Sequence, residues 1–250
     1  MTAENQETSE KNIWKVAKVV NENQVTNSLY LEGYDEKFAN RKAGQFASIR
    51  IRKPDGWSQP HPFTISNAPE DPLLRFTIKK AGEFTSAIPD LKPGEPILCM
   101  GPLGVFCKDI DAKPLIVMIA GGVGITPFLS VLLHFSNIGA SNRVKLFWAN
   151  RGISDILFAD QMKALTQKID LGVIHCLSRE DHAERFNQPQ YPDVRYEKGY
   201  LSEGVMRNHG VSDKAAFYLC GPPPMMETSL KELNSLGIDP KVVEQEKFSW

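Results

Sequence analysis

At 250 residues, 42% hydrophobic and 24% charged, the chain has the composition of an ordinary globular protein, long enough for two domains of about a hundred residues each. Its 29 basic and 30 acidic side chains are spread along the sequence to a net charge of −1, which leaves no basic stripe for a phosphate backbone and excludes nucleic acid as a partner. Cys99, Cys107, Cys176 and Cys220 form no C-x-x-C pair, and the histidines have no ligand spacing, so no metal site is expected.

Residues 1–12 are polar and acidic with no apolar run, which predicts a disordered tail, no secretory leader and a cytoplasmic setting. Over residues 13–108, short runs of β type (WKVAKVV, SLYLEGY, FASIRIR, RFTIKK, PILCMG) are separated by Gly, Pro and Asn signals, the pattern of an antiparallel barrel or sandwich. Residues 109–114 read as a linker. From residue 115 to 250 strands and helices alternate: strands at PLIVMIA, VKLFWAN, GVIHCLS, AFYLC and KVVEQEKF, with helices from about Pro127, near ALTQK, near GVMRN and from Met225 to Leu236. Such alternation predicts an α/β doubly wound parallel sheet. Leu115 to Leu133 carries no charge, but three glycines and Pro127 interrupt it, so it is a strand, a turn and a helix and does not span a membrane.

The turn AGGVGITPF follows a strand and opens a helix. There Gly121, Gly122, Val123 and Gly124 let backbone N–H groups approach a pyrophosphate, Thr126 caps or touches phosphate, and Pro127 suits the first helical turn. YLCGPPPMME brings Cys220, Gly221, Pro222 and Met225 to the carboxyl edge of the same sheet, where open α/β folds bind ligands.

Three motifs in order, HPFT, GGVGITP and CGPPPM, resemble the ferredoxin-NADP reductase superfamily from about Trp14 onward. HPFTISNAP is most similar to the dehydrogenase domains of ferric reductases and NADPH oxidases, here in a stand-alone soluble form. The resemblance implies an N-terminal antiparallel β-barrel for FAD and a C-terminal α/β domain for a nicotinamide dinucleotide. It places Phe63 on the flavin ring and the Thr64 hydroxyl on flavin N5, with His61 and Pro62 preceding them; His61 stands where the family has an arginine. It also puts Thr77, Ile78 and Lys79 beside the cofactor, and the turn from Gly82 through Phe84 to Thr85 on its pyrophosphate. The resemblance further implies that Cys220 and Glu246 flank the nicotinamide and that Phe248, or Trp250 in its place, covers the flavin. For the adenosine end, Asn150 with Arg151 and Ser178 with Arg179 close two strands, and no acidic residue ends the first of these, which favours NADPH over NADH.

The function implied is an NAD(P)H-dependent flavoprotein reductase that delivers electrons to a separate acceptor. That acceptor is a ferredoxin- or flavodoxin-like carrier, a ferric complex, or a haem-bearing membrane subunit that would bring the protein to the inner face of a membrane. The alternative is a non-catalytic electron-transfer or regulatory subunit active only within a larger complex.

Overall fold

The computed structural model describes residues 12–248; of the tail expected over residues 1–12, all but the last residue, and also Ser249 and Trp250, lie outside the described residues. The chain divides into two compact units between Val105 and Phe106, with Leu129–His134 grouping with the first.

The first unit holds β1 (Ile13–Asn23), β2 (Thr26–Glu32), α1 (Glu36–Ala39), β3 (Phe46–Lys53), β4 (Gly56–Trp57), β5 (His61–Thr64), β6 (Leu74–Lys79), α2 (Glu83–Ala87) and β7 (Pro96–Leu103). Its strands run β4-β3-β7-β1-β2-β6, all antiparallel, while β5 pairs with β3 and a single bridge from Ile65 to Phe76 of β6 closes the ring. Of the two architectures open to the sequence, this is the barrel. Its interior follows from strict alternation, since a strand turns successive side chains to opposite faces. Trp14 and Val16 of β1, and Ala47, Ile49 and Ile51 of β3, are buried, while their neighbours face outward. Leu29, Leu31, Leu74 and Phe76 complete the interior at 0% exposure, so truncating any of these to alanine would leave a cavity and cost about 2–5 kcal/mol.

The second unit holds β8 (Leu115–Gly121), α3 (Thr126–Ile138), β9 (Arg143–Asn150), α4 (Ala159–Thr166), β10 (Leu171–Leu177), β11 (Val194–Lys198), α5 (Glu203–Asn208), β12 (Ala216–Cys220), α6 (Pro223–Ser235) and β13 (Val243–Glu246). All pairs in this sheet are parallel, in the order β11-β10-β9-β8-β12-β13. The sequence reading lacked β11, so CGPPPM follows the fifth strand of the unit and not the fourth. The expected linker, 109–114, carries a 3-10 turn at Ile110–Ala112 with Ile110 buried. Strand order reverses at β8, which has β9 on one side and β12 on the other. The turns after β8 and β12 therefore meet at the switch point where such sheets form a crevice. Among the described residues no helix is long and apolar enough to cross a membrane.

Candidate functional site

Two groups of residues stand out, one in each unit. In the barrel, β5 pairs with β3 so that Thr64 lies opposite Phe46 and His61 opposite Ile49. The rings of His61 and Phe84 stack with centroids 3.9 Å apart, and Phe63 lies nearly parallel to Phe84 at 5.9 Å. His61, Phe63 and Phe84 thus form one stacked aromatic group, with Phe84 buried in the barrel core and His61 and Phe63 half-buried. Burial, and then the charge of Lys53, lower the His61 pKa below its ordinary value, so the ring is neutral at physiological pH. The Thr64 hydroxyl belongs to a residue only 6% exposed and makes no hydrogen bond among the described residues.

Behind this strand lies a polar network that sequence reasoning missed. Thr77 Oγ1 is hydrogen-bonded to Ser28 Oγ at 3.0 Å and to Ser66 Oγ at 2.9 Å, and Arg75 donates from Nε to Ser66 Oγ and from Nη2 to the Ser66 carbonyl. A buried network whose members are all paired rigidifies the backbone it spans, here the turn that follows Thr64. The alternation of RFTIKK was its only trace in the sequence.

Three expectations for the barrel change. The Thr77 hydroxyl is held within that network and Ile78 is 2% exposed in the core, which leaves only Lys79 of the three with an exposed side chain. Thr85 is engaged as a local cap: Ala81 and Gly82 both donate backbone N–H groups to its Oγ1, and its hydroxyl donates back to the Gly82 carbonyl. A hydroxyl that already closes the first turn of α2 is taken from any pyrophosphate. Gly82 itself has open space at its α-carbon.

In the second unit the two glycine-bearing turns interlock. A β-carbon on Gly124 would sit 2.3 Å from the Cys220 carbonyl oxygen, and one on Gly221 would sit 3.0 Å from the Gly121 nitrogen. A β-carbon on Gly121 would meet Met225 Cε and Pro222 Cδ. GGVG and CGPPPM therefore accompany each other for a packing reason: backbone passes against backbone, and only glycine fits. Gly122 is the exception, since it has φ +51° with nothing within 4 Å of its β-carbon position, and its carbonyl accepts from Trp148 Nε1 at 3.0 Å. It is the open face of the loop, ahead of the thirteen-residue α3. Thr126 faces inward, 2% exposed, and its hydroxyl donates to the Val123 carbonyl, so it caps the turn. Pro127 stands in the first turn of α3, as the sequence implied.

At the carboxyl end of β9, Asn150 is 8% exposed, and neither its Oδ1 nor its Nδ2 has a hydrogen-bond partner among the described residues. Leaving a buried amide unpaired costs about 1–3 kcal/mol, which sets this group apart at the strand end. Ser178 donates its backbone N–H to the Asn150 carbonyl, and Arg179 donates to that of Arg151, which brings two exposed arginines to adjacent strand ends. Cys220 is fully buried, and burial, with Glu246 second, pushes its thiol pKa up, so it stays protonated. Glu246 pairs in register with Cys220 and has its own carboxyl pKa raised by burial and then by Glu244. Phe248 is half-buried. His175 is buried, stacks on Tyr196 at 4.9 Å and is pushed down to about 3 by burial and Lys163, which makes it a neutral core ring.

Asn150→Leu removes both unpaired atoms at similar volume. Without a nicotinamide bound, the variant is expected to melt at the wild-type temperature or above, while dinucleotide binding weakens by about tenfold, the loss of roughly one buried hydrogen bond. Calorimetry and equilibrium titration read both quantities; unchanged affinity would remove Asn150 from the site.

Comparison with known proteins agrees with this division. Residues 11–92 match the family model described as FAD-binding domain, and residues 118–231 match that described as oxidoreductase NAD-binding domain. The chain is 29% identical over 214 residues to the reductase component of propane 2-monooxygenase from Rhodococcus jostii (strain RHA1), covering 83% of this chain and 55% of that protein. It is 28% identical over 253 residues to a flavohemoprotein of Rhodopirellula baltica (strain DSM 10527 / NCIMB 13988 / SH1), covering 93% and 59%. The chain thus spans a little over half the length of these relatives. The fold superposes with a TM-score of 0.75 on the flavohem-like FAD/NAD binding domain of nitric oxide dioxygenase from Vibrio cholerae O1 biovar El Tor, at 21% identity, covering 95% of this chain and 98% of that one.

Proposed function

Because the chain belongs to the ferredoxin-NADP reductase-like superfamily, in which an FAD-binding domain is joined to an NAD-binding oxidoreductase domain, we propose that it is a flavoprotein reductase that draws electrons from a nicotinamide dinucleotide and passes them to a separate acceptor. The observation that carries this reading is the unpaired Asn150 amide at the carboxyl edge of a parallel sheet, beside a glycine loop whose Gly122 faces open space. FAD, when bound, would supply the redox chemistry that links a two-electron nicotinamide donor to the acceptor.

The chain's part is to bind and orient. His61 and Phe63, backed by buried Phe84, offer aromatic area for the flavin, and the Thr64 hydroxyl, free of any partner among the described residues, donates to flavin N5. Neutral His61 adds no fixed charge near the flavin's phosphates, so exposed Lys79 takes that part. In the second unit, the Gly122–Val123 turn and the start of α3 receive the dinucleotide pyrophosphate. Asn150 meets its polar edge, Cys220 and Glu246 bound the nicotinamide, and Phe248 guards the reacting face. Exposed Arg151 and Arg179 on adjacent strand ends favour NADPH over NADH by meeting a 2′-phosphate. The R. jostii relative, a reductase component by name, favours a separate oxygenase component as acceptor over a ferric complex or a haem-bearing membrane subunit.

Ferricyanide as a surrogate acceptor tests the reading. Purified chain loaded with FAD is expected to oxidise NADPH with a higher kcat/KM than NADH. Oxidation of neither would overturn the enzyme reading, and a preference for NADH would overturn the assignment of the two arginines.

A further inference from the structure

β13 is four residues long, lies at the edge of its sheet and, among the described residues, pairs only with β12, yet it ends in Glu246 and leads directly to Phe248. An edge strand this short leaves one flank of backbone groups without a ladder and opens easily unless something else holds it. The segment that begins the second unit supplies that hold. The Cys107 backbone N–H donates to Glu244 Oε1 at 2.7 Å. One residue earlier, buried Phe106 packs on Phe128 of α3 and Tyr218 of β12, with ring centroids 5.7 and 6.1 Å apart, so the segment is anchored before it reaches β13.

Cys107 has φ +62°, in the left-handed region that a β-carbon disfavours. A conformation of that kind persists only where its surroundings over-determine it, and a hydrogen bond from N–H to an ionised carboxylate is of the strong kind. Strain at Cys107 and the acceptor on Glu244 thus occur together, at the point where the chain touches the terminal strand.

We infer that Glu244 is a positioning residue: its carboxylate, fastened on the Cys107 amide, holds β13 against β12 so that Glu246 and Phe248 are presented where the reaction needs them. The inference rests on the function proposed above for those two residues. Glu244 also acts on Glu246 through its charge, as the second cause of the raised Glu246 carboxyl pKa.

The test uses the full chain loaded with FAD, as wild type, Glu244→Ala and Glu244→Gln. The first readout, taken without nicotinamide, is amide hydrogen exchange; the second is stopped-flow flavin reduction, which separates the rate constant from the dinucleotide Kd. In Glu244→Ala, exchange over residues 243–246 is expected to quicken by about tenfold while that of β8 and β9 stays unchanged. The reduction rate constant is expected to fall about fivefold with Kd within about twofold. Glu244→Gln, whose amide oxygen still accepts from Cys107, should recover both. Should Glu244→Ala not fold, the double variant Cys107→Gly/Glu244→Ala removes the left-handed strain and exposes the loss of the tether alone. Wild-type exchange, or a wild-type reduction rate, in folded Glu244→Ala or in the folded double variant would overturn the inference. A wild-type protein that no nicotinamide reduces would instead overturn the functional reading, while the exchange data would still report on the tether.

Discussion

Thr64→Ala is expected to keep its flavin and its fold while flavin reduction by NADPH slows by about tenfold or more, the rate equivalent of one hydrogen bond of about 1.4 kcal/mol felt at the reacting atom. The fold survives because the Thr64 hydroxyl makes no hydrogen bond among the described residues, so its removal strands no buried partner. Flavin is retained because the aromatic group of His61, Phe63 and Phe84 is untouched and the strand pairing of Thr64 with Phe46 is a backbone matter. Thr64→Ser, which keeps the hydroxyl, should reduce at close to the wild-type rate. Stopped-flow absorbance at the flavin band reads the rate constant directly, and an unchanged constant in Thr64→Ala would remove this hydroxyl from the reaction.

The second large effect concerns stability. In Gly124→Ala the new β-carbon would fall 2.3 Å from the Cys220 carbonyl oxygen and 2.8 Å from its carbon, both rigid backbone atoms that cannot step aside as a side-chain tip can. The two turns must part, at a cost of about 3 kcal/mol or more, which for a chain of this size lowers Tm by about 6–12 °C. Gly122→Ala sets the contrast. Its β-carbon meets nothing within 4 Å, so only the left-handed φ of +51° is penalised, about 1–2 kcal/mol. That variant should fold with a modest loss of Tm but bind nicotinamide dinucleotides poorly, because its methyl group would occupy the open space to which we assign the pyrophosphate. Equal melting temperatures for the two variants would contradict the interlocked arrangement.

These two glycines show how far the sequence could be read. The motif GGVGITP announced a strand, a turn and a helix, all of which are present, but it could not separate Gly122, which faces open space, from Gly124, which is walled in by a strand about a hundred residues later. Barrel strands such as β1 and β3 were legible because apolar and polar positions alternate along them, and alternation is local. β11 was not, since VRYEK is five residues following a stretch rich in Pro and Gln that reads as loop.

Thr85 and Thr77 were assigned to the cofactor from their place in a motif. Both hydroxyls are held elsewhere, one by two backbone amides next to it and one by Ser28, which lies 49 residues away. Which hydroxyl stays free depends on strand register and cap geometry, and neither is written in any short window. The same holds for Asn150, whose amide finds no partner among the described residues, and for Glu244, whose partner at Cys107 lies 137 residues earlier.

Anaerobic titration of the purified, FAD-loaded chain with NADPH, followed across the visible spectrum, tests the central claim most directly. One equivalent of donor is expected to bleach the flavin band near 450 nm and leave a two-electron-reduced cofactor. A band that persists through excess NADPH and excess NADH alike, in protein shown to hold its flavin, would contradict the account.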